Sequence, residues 1–308
     1  MAINCGRMPD FLIIGGMKCG TTTLFDYLLH HPSIFMCENK EPNFFSTATV
    51  FDRGEDWYRS QFIDAAPNQL CGEASTSYSR IAEYLIGVQP PTWVDYSDTP
   101  KRIAESIPHA KLIYIMRHPV ERAYSHYSFM MQYQKPISFA EAVARDDVII
   151  ETSAYIRHIE RFLKFFPRDQ MLFLLLDDLE SNPQLVIDQT LEFLDIGKME
   201  LPEKPVALNP AGSRYATNEI RRRVEALKKF KLLRYAARKI PLDIRKRLLH
   251  STVEKLTGGP LGNRLTEKHR TSITPLTESL RVELLDLLRE PTQELERFLG
   301  KNLDNWYK

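Results

Sequence analysis

The stretch from Asp10 to Phe25, DFLIIGGMKCGTTTLF, decides the fold of this chain. It opens with the apolar run Phe11 to Ile14, which ends at two glycines and is typical of a strand buried on both faces. The residues from Thr22 to Leu29 predict a helix that ends before the pair His31-Pro32. A glycine turn at a helix start collects backbone N–H groups beside the positive end of the helix dipole, so the stretch predicts an anion-binding loop.

Two later apolar runs repeat the order of strand and helix. KLIYIM at 111–116 predicts a strand that leads into a helix at 119–132, and MLFLLL at 171–176 predicts a strand followed by an acidic turn and a helix at 183–194. Strands that alternate with helices indicate an α/β fold, with a central parallel β-sheet flanked by helices. Because ligands bind such sheets at the carboxyl ends of the strands, the glycine loop and the residues after 116 are expected to share a cleft.

The composition is that of a globular protein with a large core, since 43% of the 308 residues are hydrophobic and 26% are charged. The formal net charge of +1 does not indicate a protein that coats nucleic acid. No apolar stretch approaches the roughly 20 residues that span a bilayer, and the first residues lack the apolar segment of a signal peptide. The four cysteines show no CxxC pattern, which fits a reducing compartment. We therefore expect a soluble cytoplasmic protein.

The chain is expected to form one domain, 1–308, with a basic helical insertion at 216–271. Lysines and arginines crowd the first half of this insertion. They are interpreted either as a solvated helical face or as a lid that attracts an acidic substrate or a membrane surface. After the insertion, apolar residues recur at helical spacing from 278 to 298 and predict a closing helix.

The glycine loop carries Lys18, Thr21 and Thr22, which offer a mobile positive charge and two hydroxyl donors to an anion. A nucleotide triphosphatase loop places its lysine directly before a serine or threonine, whereas Lys18 stands two residues before Gly20. The sequence also shows no clear aspartate partner for Mg²⁺ after a second strand, and its dispersed histidines lack a metal spacing such as HExxH, so we expect no catalytic metal. A P-loop kinase is therefore a weak alternative, and a non-catalytic nucleotide-binding scaffold is a third interpretation.

The glycine loop and a second segment together resemble one known family. GGMKCGTTTL at 15–24 is similar to the 5′-phosphosulfate loop of sulfotransferases that use 3′-phosphoadenosine 5′-phosphosulfate (PAPS), and IMRHPVERAYSHY at 115–127 resembles their 3′-phosphate segment. The two motifs occur in the family's order, and the heparan sulfate and glycan type is the most similar branch. Further similar stretches are KEPNFF at 40–45, GEASTSY at 72–78, AYIRHIERFLKFFP at 154–167 and DDLESNP at 177–183.

This resemblance implies a P-loop-like sulfotransferase fold with PAPS as co-substrate, released as adenosine 3′,5′-bisphosphate (PAP). It assigns Lys18 to the negative charge that develops during transfer and Glu41 to the proton of the acceptor, with Glu73 as the alternative base. The implied donor-binding residues are Gly16, Met17, Lys18, Cys19, Gly20, Thr21, Thr22, Arg117, Ser125, Ser213 and Arg214. The residues expected near the acceptor are Glu73, Tyr78 and Tyr155, and the alternative for each tyrosine is a half-buried packing residue.

Two of these assignments depend on the surroundings of the side chain. The aromatic pair Phe44-Phe45 closely follows Glu41 and is expected to shield its carboxylate from water. The alternative is that Glu41 only pairs with Lys40 or caps a turn. Arg122 lies in the 3′-phosphate segment, but we interpret it as a packing or salt-bridge residue of the predicted helix rather than as a phosphate ligand.

One position departs from the family pattern. Ala74 stands where several heparan-type enzymes carry a lysine that assists at the sulfate, so either Lys40 or Arg214 replaces that charge or the acceptor differs. The implied acceptor is a hydroxyl or amine of a glycan or glycolipid, and the alternative is a small metabolite or a carrier-tethered acyl chain. No nucleic-acid partner is expected, whereas the basic insertion allows peripheral contact with acidic surfaces.

Overall fold

The computed structural model describes residues 6–37, 39–80, 98–131, 136–201 and 273–308. The larger of two compact units contains the β-sheet and the helices that flank it. In the smaller unit, the Tyr127 hydroxyl donates to the Ile137 carbonyl at 2.7 Å. The predicted insertion at 216–271, together with Ser213 and Arg214, lies outside the described residues, so the single-domain organisation stays a prediction.

Within the described residues, five parallel strands form one sheet in the order β2-β3-β1-β4-β5. The strands are β1 (Phe11–Gly15), β2 (Ile34–Met36), β3 (Leu70–Ala74), β4 (Lys111–Met116) and β5 (Met171–Leu175). The central strand β1 is buried along its whole length, because helices cover both faces of a parallel sheet. The predictions of a parallel α/β sheet and of its three apolar strands are confirmed.

Helices connect the strands and flank the sheet. Those described are α1 (Thr21–Leu28), α2 (Ala48–Phe51), α3 (Gly54–Ser60), α4 (Thr99–Ser106), α5 (Pro119–Met130), α6 (Phe139–Arg145), α7 (Val148–Glu151), α8 (Tyr155–Leu163), α9 (Leu176–Ser181), α10 (Pro183–Phe193) and α11 (Glu278–Leu299). The predicted acidic turn after β5 is wrong, since these residues form α9, with Asp177 and Asp178 at the helix end that favours negative charge. None of the described helices is long and apolar enough to cross a membrane.

The strand order sets the position of the cleft. After β1 the chain adds β2 and β3 on one side of this strand, and it then crosses to add β4 and β5 on the other side. Such a reversal leaves a crevice at the carboxyl ends of the two strands where the direction changes. The residues that follow Gly15 and those that follow Met116 therefore lie at the same edge of the sheet, as the sequence predicts.

The contact between β1 and β3 depends on a glycine. Gly72 faces the ring of Phe11, and a Cβ atom built on Gly72 would lie 2.1 Å from that ring. No side chain fits in this space without movement of the core, so the glycine permits the close pairing of the two strands.

The C-terminal residues cover the described α8. Helix α11 packs against α8, which confirms the predicted closing helix. Beyond it, Trp306 donates from Nε1 to Asp177 Oδ2 at 3.1 Å, and its ring centroid lies 5.9 Å from that of Tyr155. Residues from the end of the chain therefore support Tyr155, the first residue of α8.

Candidate active site

The anion loop between β1 and α1 is fixed by its backbone. The Gly16 N–H donates to the Ile115 carbonyl at 2.6 Å, which ties the loop to β4. Lys18 and Gly20 both have positive φ values, 67° and 90°. At Gly20 a Cβ atom would lie 2.5 Å from Leu176 Cδ1, so the position requires glycine for its conformation and for its space. The loop then delivers the chain into α1, whose first N–H groups have no acceptor within the helix.

Arg117, the residue after β4, is held next to this loop by one tyrosine hydroxyl. The Tyr155 hydroxyl donates to the Arg117 carbonyl at 2.7 Å and accepts from the Arg117 N–H at 3.3 Å. The same hydroxyl lies 3.5 Å from Cys19 Sγ in the anion loop. Tyr155 is buried, and burial raises the pKa of its hydroxyl well above the ordinary value, so the group stays a neutral donor. Tyr155 therefore connects the two segments that the sequence assigns to the two ends of the donor.

Positive charge is concentrated around these segments. His126 on α5 is buried, and burial lowers the pKa of its imidazole well below the ordinary value. The charges of Arg122, Arg80 and Lys18 lower this pKa further, and Arg122 Nη1 lies 3.5 Å from His126 Nδ1. A site with several cations and a neutral histidine favours a ligand that carries more than one negative charge.

The structure supports the interpretation of Arg122 as a packing residue. Its side chain is fully buried on α5, its Nε donates to Ser153 Oγ at 2.6 Å, and its Nη2 donates to the Ile149 carbonyl. These bonds fix α5 to the segment before α8. Ser125, the predicted 3′-phosphate ligand, is half-buried on the same helix, and its role stays a prediction.

The candidate base Glu41 lies at the surface, beside the anion loop. Its side chain is 44% exposed and forms an ion pair of 3.6 Å with Lys40 Nζ. The prediction that Phe44 and Phe45 shield this carboxylate is wrong, because both rings are buried in the core. Asn43 explains the difference: its positive φ of 52° turns the chain between the glutamate and the two rings, so the rings point inward while Glu41 stays in water.

Glu73, the alternative base, is fully buried on β3. Its carboxylate accepts from the Tyr58 hydroxyl at 2.9 Å and from Ser75 Oγ at 2.8 Å. Burial raises the pKa of Glu73 to about 7, although these hydroxyl donors act in the opposite direction. Ser75 Oγ also accepts from the Asn43 N–H at 3.1 Å, so Glu73 supports the turn that follows Glu41.

The three residues predicted to contact the acceptor are all buried. Glu73, Tyr78 and Tyr155 are each at most 2% exposed. Tyr155 holds Arg117 instead of lining an open surface, and the Tyr78 ring packs on Phe45 with centroids 5.6 Å apart. Direct contact of these side chains with an acceptor stays a prediction.

Two residues near the loop, Arg80 and Tyr155, have contacts that the sequence does not predict. No motif of the sequence singles out Arg80, whose Nη2 lies 2.8 Å from Met17 Sδ at the crest of the loop. The sequence places Tyr155 near the acceptor, whereas its hydroxyl contacts Cys19 and Arg117. The only sequence signal for Arg80 is its position just after the family-like stretch GEASTSY. Among the described residues, no group of three His, Cys, Asp or Glu side chains is placed to hold a metal ion, and the absence of a catalytic metal stays a prediction.

The fold and the site define a class of protein: an α/β protein with a glycine loop after its central strand and an arginine after the neighbouring strand. Residues 8–237 match the family described as "Sulfotransferase domain". The chain therefore belongs to the sulfotransferase domain family, which confirms the resemblance drawn from its two motifs.

Similar proteins place the chain within this family. It is 31% identical over 213 residues to human "Bifunctional heparan sulfate N-deacetylase/N-sulfotransferase 3", an alignment that covers 63% of this chain and 23% of the relative. It is 26% identical over 226 residues to "Bifunctional heparan sulfate N-deacetylase/N-sulfotransferase 1" of Caenorhabditis elegans, covering 66% of this chain and 24% of the relative. The chain thus spans about a quarter of the length of these curated relatives.

A solved structure supports the fold. The crystal structure of a sulfotransferase from Alicyclobacillus acidocaldarius superposes with a TM-score of 0.54 and 24% sequence identity, over 72% of this chain and 95% of that one. The five-stranded parallel sheet with flanking helices is thus a sulfotransferase fold.

Proposed function

We propose that this chain transfers a sulfuryl group from PAPS to an amine or hydroxyl of a carbohydrate and releases PAP. One observation carries the proposal: the anion loop and Arg117 follow neighbouring strands and are both held by the Tyr155 hydroxyl. PAPS carries anionic groups at both ends of its ribose, so a site with two cationic segments at one sheet edge matches its chemistry.

The donor is proposed to bind with its 5′ end on the loop and its 3′-phosphate at Arg117. The loop offers the first N–H groups of α1, the hydroxyls of Thr21 and Thr22, and the Lys18 ammonium. Arg117 offers a planar fork of donors that matches the geometry of phosphate oxygens. Ser125 is proposed as an additional 3′-phosphate ligand, and Ser213 and Arg214 are proposed as further contacts of the nucleotide.

The transfer itself is proposed to be a single in-line displacement at sulfur. The bond between sulfur and the bridging oxygen breaks, its electron pair stays on the departing PAP, and a bond forms from sulfur to the acceptor nitrogen or oxygen. The acceptor proton passes to Glu41, whose exposed carboxylate lies where a large acceptor has access. Lys18 stabilises the charge on the bridging oxygen, so that positioning and charge neutralisation supply most of the rate.

The carbohydrate acceptor is favoured by the relatives, whose names describe heparan sulfate N-sulfotransferases. A glycan amine, a glycan hydroxyl and a glycolipid headgroup share the nucleophile that this chemistry needs. A cytoplasmic location and a peripheral contact of the insertion at 216–271 with acidic surfaces belong to the same proposal.

Nucleotide binding tests the donor site even though the acceptor is not identified. Isothermal titration without Mg²⁺ should show that the protein binds PAP more tightly than AMP, which lacks the 3′-phosphate. Arg117→Ala should lower the ratio of the affinities for PAP and AMP about tenfold to hundredfold, the range expected for loss of a hydrogen bond to a charged group. Arg289→Ala, an exposed arginine paired with Asp286 on α11, serves as the matched control and should keep it. Equal affinity of the wild-type protein for PAP and AMP, or Mg²⁺-dependent binding of ATP instead, would contradict the proposal.

Label transfer tests the reaction and the acceptor class. The protein is incubated with sulfur-labelled PAPS and with N-desulfated heparin, its N-acetylated form, or a fractionated cell extract. Label on the free-amine chain alone supports N-transfer, and label on the acetylated chain supports transfer to a hydroxyl. Label only on a small metabolite or a carrier-bound acyl chain would overturn the carbohydrate assignment. Lys18→Met should nearly abolish transfer with the fold intact, and near-normal turnover in this variant would remove Lys18 from the mechanism.

A further inference from the structure

Lys40 lies where the anion loop and the candidate base meet. Its Nζ donates to Thr22 Oγ1 at 2.7 Å and lies 3.6 Å from Glu41 Oε1. Its carbonyl accepts from the Ala74 N–H at 3.3 Å, so its main chain is fixed to the carboxyl end of β3. A single ammonium group therefore contacts both a hydroxyl of the anion loop and the carboxylate beside it.

We propose that Lys40 is a catalytic residue, a second cation that acts with Lys18 on the 5′-phosphosulfate end of PAPS. This inference rests on the proposed function, because it needs a phosphosulfate at Thr22. If the Thr22 hydroxyl contacts an oxygen of the 5′-phosphosulfate, the Lys40 ammonium that donates to this hydroxyl lies close to the same anion. Lys40 thereby supplies the charge that Ala74 cannot, which is one of the alternatives that the sequence leaves open at this position.

The helix dipole of α1 favours an anion at the position of Lys40 and Thr22. Thr22 is the second residue of α1, and the amino end of a helix carries partial positive charge. An ammonium group bonded to Thr22 therefore lies at the unfavourable end of the dipole. Its placement there is unfavourable in the free protein and becomes favourable when a doubly charged phosphosulfate occupies the loop.

The ion pair with Glu41 gives Lys40 a second effect on the reaction. The side chains of Lys40 and Glu41 are 23% and 44% exposed, so their ion pair is partly solvated and weak. The phosphosulfate carries two negative charges and competes with the single carboxylate for the ammonium. Binding of PAPS thus draws Lys40 toward the donor and leaves the Glu41 carboxylate ready to accept the proton that the nucleophile loses at sulfur.

The alternative is that Lys40 and Glu41 form only a surface ion pair with no part in donor binding, which is common for exposed pairs. Two nucleotides distinguish this alternative from the proposal, because PAP has a phosphate at both positions and adenosine 3′-monophosphate lacks the 5′-phosphate. A cation that acts at the 5′ end affects only the first of these ligands. A general weakening of the fold affects both.

The experiment measures the affinity of both nucleotides by isothermal titration, using the full chain. Lys40→Met should weaken PAP binding about tenfold to hundredfold, the range for loss of a charged hydrogen bond, and leave adenosine 3′-monophosphate unchanged. Lys40→Arg keeps the charge and should retain most of the PAP affinity. Lys101→Met is the matched control, since Lys101 is 55% exposed and paired with Glu105 on α4, and it should bind both nucleotides as the wild type does. Thermal unfolding of each variant verifies the fold, and Lys40→Gln replaces Lys40→Met if the latter fails to fold.

The outcomes separate this inference from the proposed function. Wild-type binding of PAP together with unchanged binding by Lys40→Met overturns the role of Lys40 alone. An equal loss for both nucleotides also overturns it, because the effect would then be structural. Failure of the wild-type protein to bind PAP overturns both proposals.

Discussion

The buried carboxyl group of Glu73 predicts how the stability of the protein depends on pH. Burial raises the pKa of Glu73 from an ordinary 4.5 to about 7. Between these values the folded protein binds a proton that the unfolded chain has already lost, so the folded state loses stability as pH rises. The stabilising contribution is fully present below about pH 4.5 and is lost as pH rises through about 7.

The size of the effect follows from the two pKa values. Integrating the proton linkage from pH 5 to pH 8 gives a loss of about 2–3 kcal/mol in the free energy of unfolding. Glu73→Gln cannot ionise, yet its amide still accepts from the Tyr58 hydroxyl. The free energy of unfolding of the wild-type protein should therefore fall by about 2–3 kcal/mol more than that of the variant across this range.

Urea unfolding followed by tryptophan fluorescence at pH 5, 6, 7 and 8 measures this difference. Other titrating groups cancel, because they are common to both proteins; one is His158, whose pKa burial lowers to about 4. Glu160→Gln, an exposed glutamate of α8, is the control and should follow the wild type at every pH. If the free energy of unfolding changes with pH in the same way for the wild type and Glu73→Gln, the reasoning is refuted, because Glu73 would then ionise alike in the folded and unfolded states.

Three further changes test the packing and the site. Gly72→Ala should destabilise the fold by about 1–3 kcal/mol in urea unfolding, because its Cβ would meet the ring of Phe11, and unchanged stability would show that the strands can separate without loss. Tyr155→Phe should weaken PAP binding about fivefold through loss of the hydroxyl that holds Arg117, and titration with wild-type affinity would contradict this support role. Trp306→Phe should lower stability by about 1 kcal/mol as its indole hydrogen bond is lost, and a thermal midpoint equal to that of the wild type would refute this estimate.

The sequence predicts the fold class well because β1, β4 and β5 are continuous apolar runs. Such runs reflect local burial on both faces of a sheet, which hydrophobicity alone reveals. β3 lacks this signal, since Gly72 and Glu73 lie within it, and β2 has only three residues. Their place in the sheet depends on contacts between distant parts of the chain, which no local pattern encodes.

The anion loop and Arg117 are predictable for a related reason. The residues within each short motif largely determine its local conformation. The surroundings of Glu41 and Glu73 are not predictable in this way. Exposure of Glu41 depends on the left-handed turn at Asn43, and the Glu73 carboxylate on β3 accepts from the Tyr58 hydroxyl of helix α3. The position of Tyr155 between Cys19 and Arg117 likewise requires three separate segments to meet.

The packing of Trp306 on Tyr155 also bears on how the protein is made. Tyr155 organises two segments near the start and the middle of the chain, but the indole that covers its ring is encoded 151 codons later, at position 306. A ribosome must therefore translate and release Trp306 from its exit tunnel before the tyrosine acquires this support. The contact between the two rings therefore forms only after residue 306 has left the tunnel, however early the sheet itself assembles.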